Sequence, residues 1–192
     1  MSNDASNPKS KTLTYILEGV ILVMALLLGL AIRFWVYETG IVVSASMEPA
    51  LQIDDRVLID HRASLNGTWQ RGDIVFFKPP PSWTGGETED TGELLVKRVV
   101  GLPGETVASS GGQIWINGAP LQEPYLNSKA DRDTPPISVV LAGDQYFVAG
   151  DNRDNSEDSR TLGPIPNSAI HGRAVRILWP LGRGALSLPD YN

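Results

Sequence analysis

Two hydroxyls lie close together in Val42-Val43-Ser44-Ala45-Ser46-Met47. Serines at i and i+2 point to the same side of an extended chain, so one can attack while the other donates a hydrogen bond. Ser-Ala-Ser is also ordinary linker composition, so the pair needs a base before it means chemistry. The chain has no cysteine and two histidines, His61 and His171. His61 falls in Asp60-His61-Arg62 at a polar strand exit, and His171 precedes Gly172 in an expected turn. Neither serves a G-x-S-x-G elbow, and both read as solvated surface residues. Two histidines also make a poor zinc site without a third ligand.

Lysine is the other base, and its amine must be neutral to accept a proton. Lys97 stands in Leu94-Leu95-Val96-Lys97-Arg98-Val99-Val100, apolar on both faces apart from the two cations. Alternation sets Lys97 on the side of Leu95 and Val99, where loss of water disfavours the ammonium. An edge strand with both cations reaching solvent fits the same pattern. Arg98 cannot deprotonate and calls for an ion pair. A third segment, Gly150 to Arg160, is dense in Asp, Asn and Ser and reads as a loop tied by side chain to backbone bonds. It fails the calcium-loop pattern, with Arg153 and Ser156 where Asp or Asn and then Gly are needed.

The elements that would position these groups are mainly strands. Arg56–Ile59, Asp73–Phe77, Leu94–Val100, Gln113–Ile116, Ser138–Leu141, Gln145–Val148 and Arg173–Leu178 are β-branched or aromatic runs bounded by turn residues. Asn117-Gly118 signals a type I′ hairpin, and Ser82–Gly92 reads as an exposed loop. With 19 Gly and 14 Pro and no helical period after Tyr37, the expected fold is mainly β. A net charge of −6 argues against nucleic acid as a partner.

The N-terminal region differs. After a polar tail over residues 1–12, Leu13–Ile32 is apolar except for Glu18, long enough to span a bilayer. A carboxylate deep in the hydrocarbon is costly, so the preferred register is Gly19–Tyr37, with Arg33 snorkelling and Trp35 and Tyr37 at the interface. A secretory signal cut near Val43-Ser44-Ala45 and a buried soluble helix are the competing readings. Lys9 and Lys11 before the span, with no Lys or Arg from Ile41 to Asp55, put the N terminus in the cytoplasm. The domains are then a tail at 1–12, an anchor at 13–37 and an exported domain at 38–192, with a β-rich insertion at about 104–146. The exported part carries 13 basic and 20 acidic residues.

In this order behind an N-terminal span, the segments resemble bacterial type I signal peptidase, also called leader peptidase. The resemblance rests on Ser44-Ala45-Ser46-Met47-Glu48-Pro49-Ala50-Leu51, Arg71-Gly72-Asp73-Ile74-Val75, Val96 to Gly104, Gly150 to Arg160, Gly163 to Pro166 and Gly172-Arg173-Ala174. It implies a β fold of antiparallel sheets behind one transmembrane helix, and a membrane-bound serine endopeptidase that removes signal peptides from exported preproteins after small residues. Ser46 matches the nucleophile and Lys97 the general base. Ser44 matches the hydroxyl that joins the Ser46 N–H in the oxyanion hole, and Ser156 the serine that orients the lysine. Asp158 and Arg160 match a supporting ion pair, and Asp151 and Arg98 fall at structural positions. Val42, Met47, Leu51, Val57, Leu95 and Val96 match positions lining shallow apolar pockets.

The resemblance implies membrane lipid and exported preproteins as partners, no nucleic acid, and neither metal nor organic cofactor. Its departures are Val43, Ala45 and Ala50, where the family often has Pro, Gly and Thr; they bear on pocket shape and remove no reacting group. Two rivals remain. A self-cleaving Ser-Lys repressor protease would need a DNA-binding region and no membrane span. A catalytically dead membrane-anchored module would bind exported chains without cutting them.

Overall fold

The computed structural model describes residues 8–62, 64, 67–86, 92–126, 135–184 and 186. The chain forms two compact units, the first ending at Tyr37 and the second beginning at Glu38. The first unit is built on one helix, α1 (Pro8–Val36). Its stretch Lys11–Leu30 has a mean hydropathy of 2.3 and is nowhere buried by protein, which suits a helix whose solvent is lipid. Tyr37, the far end of the preferred register, opens a strand instead of closing the helix. The 29 residues of α1 reach roughly 44 Å at 1.5 Å each, more than a bilayer core requires, so the helix holds Leu13–Ile32 whole and the preferred register up to Val36. The rest of the expected tail, residues 1–7, lies outside the described residues.

The second unit holds two antiparallel sheets. In chain order the strands are β1 (Tyr37–Ile41), β2 (Arg56–Asp60), β3 (Ile74–Phe77), β4 (Leu95–Gly101), β5 (Thr106–Ser110), β6 (Gln113–Ile116), β7 (Ala119–Pro120), β8 (Ile137–Val140), β9 (Gln145–Ala149), β10 (Ile165–Pro166) and β11 (Ile170–Trp179). One sheet runs β1-β2-β11-β3-β4-β9-β10 and the other β7-β6-β5-β8. A helical turn, α2 (Ser159–Leu162), follows the loop after β9.

β4 explains most of what the site needs. It pairs with β3 through Val75↔Lys97 and Ile74↔Arg98, and with β9 through Arg98↔Ala149. A strand flanked on both sides and covered on both faces has no solvent-facing positions, and every residue from Val96 to Gly101 is buried. Its even and odd side chains feed separate cores. Val96 joins Val42, Met47, Leu51 and Val57, whereas Val99 joins Trp69, Val75 and Val148. A third core, under the smaller sheet, gathers Val100, Val107, Ile114 and Phe147. Gly101 is where the two sheets approach: a Cβ there would lie 2.5 Å from Val107 Cγ2.

The expected hairpin forms at Asn117-Gly118, with φ of 51° and 84° and Ile116 opposite Ala119. Pattern reading misses β1, the two-residue β7 and β10, and β5, whose inward positions are Val107 and Ser109, only one of them apolar. His171 is the opposite error, since it lies on β11 and not in a turn. Residues Ser82–Gly86 of the expected loop form turns, and 87–91 lie outside the described residues.

Candidate active site

Ser46 sits in a 3-10 turn, Ala45–Met47, and not in the extended chain that the i, i+2 argument assumes. The turn is clamped from several sides. Before it, Val42 N–H donates to Asp55 C=O (3.0 Å) and Asp54 N–H to Val42 C=O (2.9 Å). After it, Leu51 N–H donates to Met47 C=O at 2.9 Å. From the loop after β9, Asn152 donates its backbone N–H to Ser46 C=O (3.0 Å) and its Nδ2 to Ala45 C=O (3.1 Å). Ser44 and Ser46 still meet despite the turn, with Oγ atoms 3.2 Å apart.

Lys97 reaches this turn from β4, with Nζ 2.7 Å from Ser46 Oγ. Lys97 is 5% exposed and Ser46 6%, so the alternative in which the cations of this strand reach solvent does not hold. Burial lowers the Lys97 pKa from its ordinary value; the Asp158 carboxylate opposes this, and the Arg160 guanidinium reinforces it. A hydroxyl and an amine at 2.7 Å, with the amine biased toward its neutral form, are equipped to pass a proton from oxygen to nitrogen.

The loop Gly150 to Arg160 surrounds this pair with a buried polar network. Asp158 accepts from Arg160 Nε (2.8 Å), Gly150 N–H (2.8 Å) and Ser156 Oγ (2.8 Å). Burial alone would raise the Asp158 pKa, but the Arg160 guanidinium and the other donors outweigh it and hold the carboxyl below its usual range. The resemblance has Ser156 orienting the lysine directly, yet its hydroxyl bonds to Asp158; among the described residues no hydrogen bond joins it to Lys97. Arg98, fully buried, grips Asp151 through Nε (2.8 Å) and Nη2 (2.6 Å) and donates to Gly72 C=O (2.9 Å). The two buried carboxylates of the loop, Asp151 and Asp158, are each paired with a guanidinium group.

The six expected pocket residues do not make one wall. Val42, Met47, Leu51, Val57 and Val96 belong to one buried cluster, while Leu95, on the Lys97 side of β4, packs against the other. Sequence reasoning missed Asn152 as the clamp on the Ser46 turn, although its loop stands out by composition. It also missed the buried pair of Glu123 and Arg153, which no local pattern marks.

Gly150 is the tightest point. A Cβ there would lie 2.3 Å from Ser156 Oγ and 2.5 Å from Ser46 C=O. Gly150→Ala is therefore expected to displace the serine turn and lower turnover at least about 100-fold, since a misplacement of about 1 Å costs that much. Steady-state kinetics beside a circular dichroism spectrum would check it.

Over residues 15–179 the chain matches the family model described as "Signal peptidase, peptidase S26". The chain belongs to that family. It is 38% identical over 187 residues to the signal peptidase I of Leptolyngbya laminosa, covering 96% of this chain and 90% of that one. It is 37% identical over 189 residues to signal peptidase I T of Bacillus subtilis (strain 168), covering 93% of each. A solved signal peptidase I from Enterococcus faecalis V583 overlays 55% of this chain and 96% of its own, with a TM-score of 0.43 and 33% identity. As a member of the signal peptidase family, the chain is a serine endopeptidase of signal-peptide processing, acting on exported preproteins. The apolar helix near its N terminus fits a membrane-anchored protein.

Proposed function

We propose that Ser46 and Lys97 form the catalytic dyad of a membrane-anchored signal peptidase that cuts preproteins after small residues. The observation that carries this is the 2.7 Å contact between two side chains that are both nearly excluded from water. Neutral Lys97 takes the Ser46 proton as Oγ adds to the scissile carbonyl. The Ser44 hydroxyl and the Ser46 N–H receive the oxyanion, and such a donor commonly contributes about 3 kcal/mol. The Lys97 ammonium then gives its proton to the departing amine. A water deprotonated by Lys97 adds to the acyl ester, and Ser46 leaves with the proton returned.

The other residues support this pair. Asp158, kept ionised by Arg160, holds Ser156 and Gly150, and Arg98 with Asp151 anchors the start of the same loop. Asn152 fixes the carbonyl of Ser46, and with it the plane of the peptide that follows the nucleophile. Val42 and Val96, with Leu95 on the lysine side, would bound the subsites; they leave room for small side chains and select by exclusion. The anchor is read as crossing once with its N terminus in the cytoplasm. Ser46 lies nine residues after Tyr37, a short tether between anchor and nucleophile.

Full-length protein in detergent, given a preprotein with an Ala-x-Ala site, is expected to release the mature chain at that bond. Replacing the residue before the cut by Phe should lower kcat/KM by at least about 100-fold through steric rejection, read by gel or mass spectrometry. Equal cutting of both substrates would contradict the exclusion argument.

A further inference from the structure

Both histidines of the chain meet one carboxylate, far in sequence from each other and from it. Glu38 lies on β1, His61 just beyond β2 and His171 on β11, and these three strands are neighbours in the larger sheet. Glu38 Oε2 is 3.2 Å from His61 Nε2 and 3.0 Å from His171 Nε2, and the three ligand atoms all lie within 4.8 Å of one another. The imidazole rings stand edge to face with centroids 4.5 Å apart. The third ligand that a two-histidine site lacked in the sequence is Glu38.

The hydrogen bonding points the same way. His61 Nδ1 lies 2.9 Å from the backbone carbonyl of His171. A carbonyl only accepts, so Nδ1 donates to it, and Nε2 is the ring atom left to face Glu38 Oε2. A ring N–H held by a backbone carbonyl is also the usual support behind a metal-bound imidazole, fixing its tautomer and direction. Gly172 makes the approach feasible: a Cβ there would lie 2.6 Å from Ile59 Cγ2 and 3.2 Å from His61 Nδ1.

We propose that Glu38, His61 and His171 bind a zinc ion that fastens β1 to β2 and β11. Zinc bonds of roughly 2.0–2.1 Å in a tetrahedron set ligand atoms about 3.4 Å apart, close to the two oxygen–nitrogen spacings here. Two imidazoles and one carboxylate suit zinc and disfavour magnesium or calcium, which take all-oxygen shells. Water completes the coordination, because Glu38 is 53% and His171 37% exposed at the side chain. The role is structural. Among the described residues, none of the three ligands shares a hydrogen bond with Ser46, Lys97 or Asp158, whereas Glu38 is the first residue of the second unit. A metal there pins the strand leaving the anchor onto the body of the catalytic domain.

The test uses untagged full-length protein in detergent, stripped with a chelator and titrated with Zn²⁺ or Co²⁺. Since the chain has only these two histidines and no cysteine, a nitrogen-dependent signal has one source. The expected result is one ion per chain, a visible Co²⁺ absorption of tetrahedral strength, and a rise in Tm of roughly 5–10 °C at a hundredfold excess over Kd. Mg²⁺ and Ca²⁺ should produce no shift. His171→Ala and the milder Glu38→Gln should each abolish the Co²⁺ spectrum and the Tm shift while the circular dichroism spectrum stays that of the wild type. Absence of saturable binding by the wild type, or equal binding by both variants, overturns the proposal. So does a stabilisation that follows pH alone and ignores Zn²⁺, which would make a proton the bridging cation.

Discussion

Ser46→Ala and Lys97→Met are each expected to reduce kcat/KM for a preprotein by roughly 10⁴- to 10⁶-fold, and the double variant to be little worse than either. The non-additivity follows from the geometry. With Nζ 2.7 Å from Oγ, the amine has one function and the hydroxyl depends on it, so removing either disables both. Stability is expected to move the other way for Lys97→Met. The unfolded chain holds the lysine proton up to the ordinary lysine range, whereas burial makes the folded chain release it at lower pH. The unfolded state therefore binds more protons between the two values, and wild-type stability falls as pH drops through that window. Methionine has no charge to desolvate. Its Tm should exceed that of the wild type at neutral pH, and the difference should shrink as pH rises toward the ordinary lysine range. Scanning calorimetry at several pH values would read this. A methionine variant less stable than wild type at every pH would mean that Lys97 is held by favourable pairing.

Asp151→Ala is the substitution with the largest expected cost in stability. Asp151 is 2% exposed and takes two hydrogen bonds from Arg98, which is wholly buried. Removing the carboxylate takes from a guanidinium in the core both hydrogen bonds and the counter-charge that Asp151 supplies. Breaking such a pair costs about 3–5 kcal/mol, or a fall in Tm of about 10 °C for a domain of this size. Gly72 C=O and the Tyr125 ring, 4.1 Å from the guanidinium carbon, keep part of its environment but do not replace the Asp151 carboxylate. The double variant Asp151→Ala/Arg98→Met, which removes both charges, should recover most of the loss in a urea titration. Failure to recover would show that the pair's geometry, and not its charge balance, holds the loop after β9.

Much of this was readable from the chain. Lys97 stood out because a cation inside Leu94 to Val100 has no polar face to occupy, and β4 proved to be the strand with neighbours on both sides. The Asx-dense loop was visible as a tied structure. What it ties was not, because Asn152 meets Ala45 and Ser46 across about a hundred residues of chain. Ser156 shows a subtler limit. Its position in a motif indicated a partner nearby, but whether the hydroxyl points to Lys97 or to Asp158 depends on the local turn. His171 was misplaced for a physical reason. A histidine before glycine resembles a turn, yet Gly172 serves a close strand approach, and glycine leaves the same mark in both settings. Glu38, 133 residues from His171, had no local signature at all.

The proposed mechanism requires Lys97 to be neutral when Ser46 attacks. It is tested most directly by following the Lys97 side-chain nitrogen by NMR in the full-length protein across pH, beside kcat/KM on the same preparation. One amine, absent from Lys97→Met, is expected to lose its proton below the ordinary lysine range of about 10.4, with kcat/KM rising through the same midpoint. An amine still charged at a pH where kcat/KM has reached its plateau would contradict it.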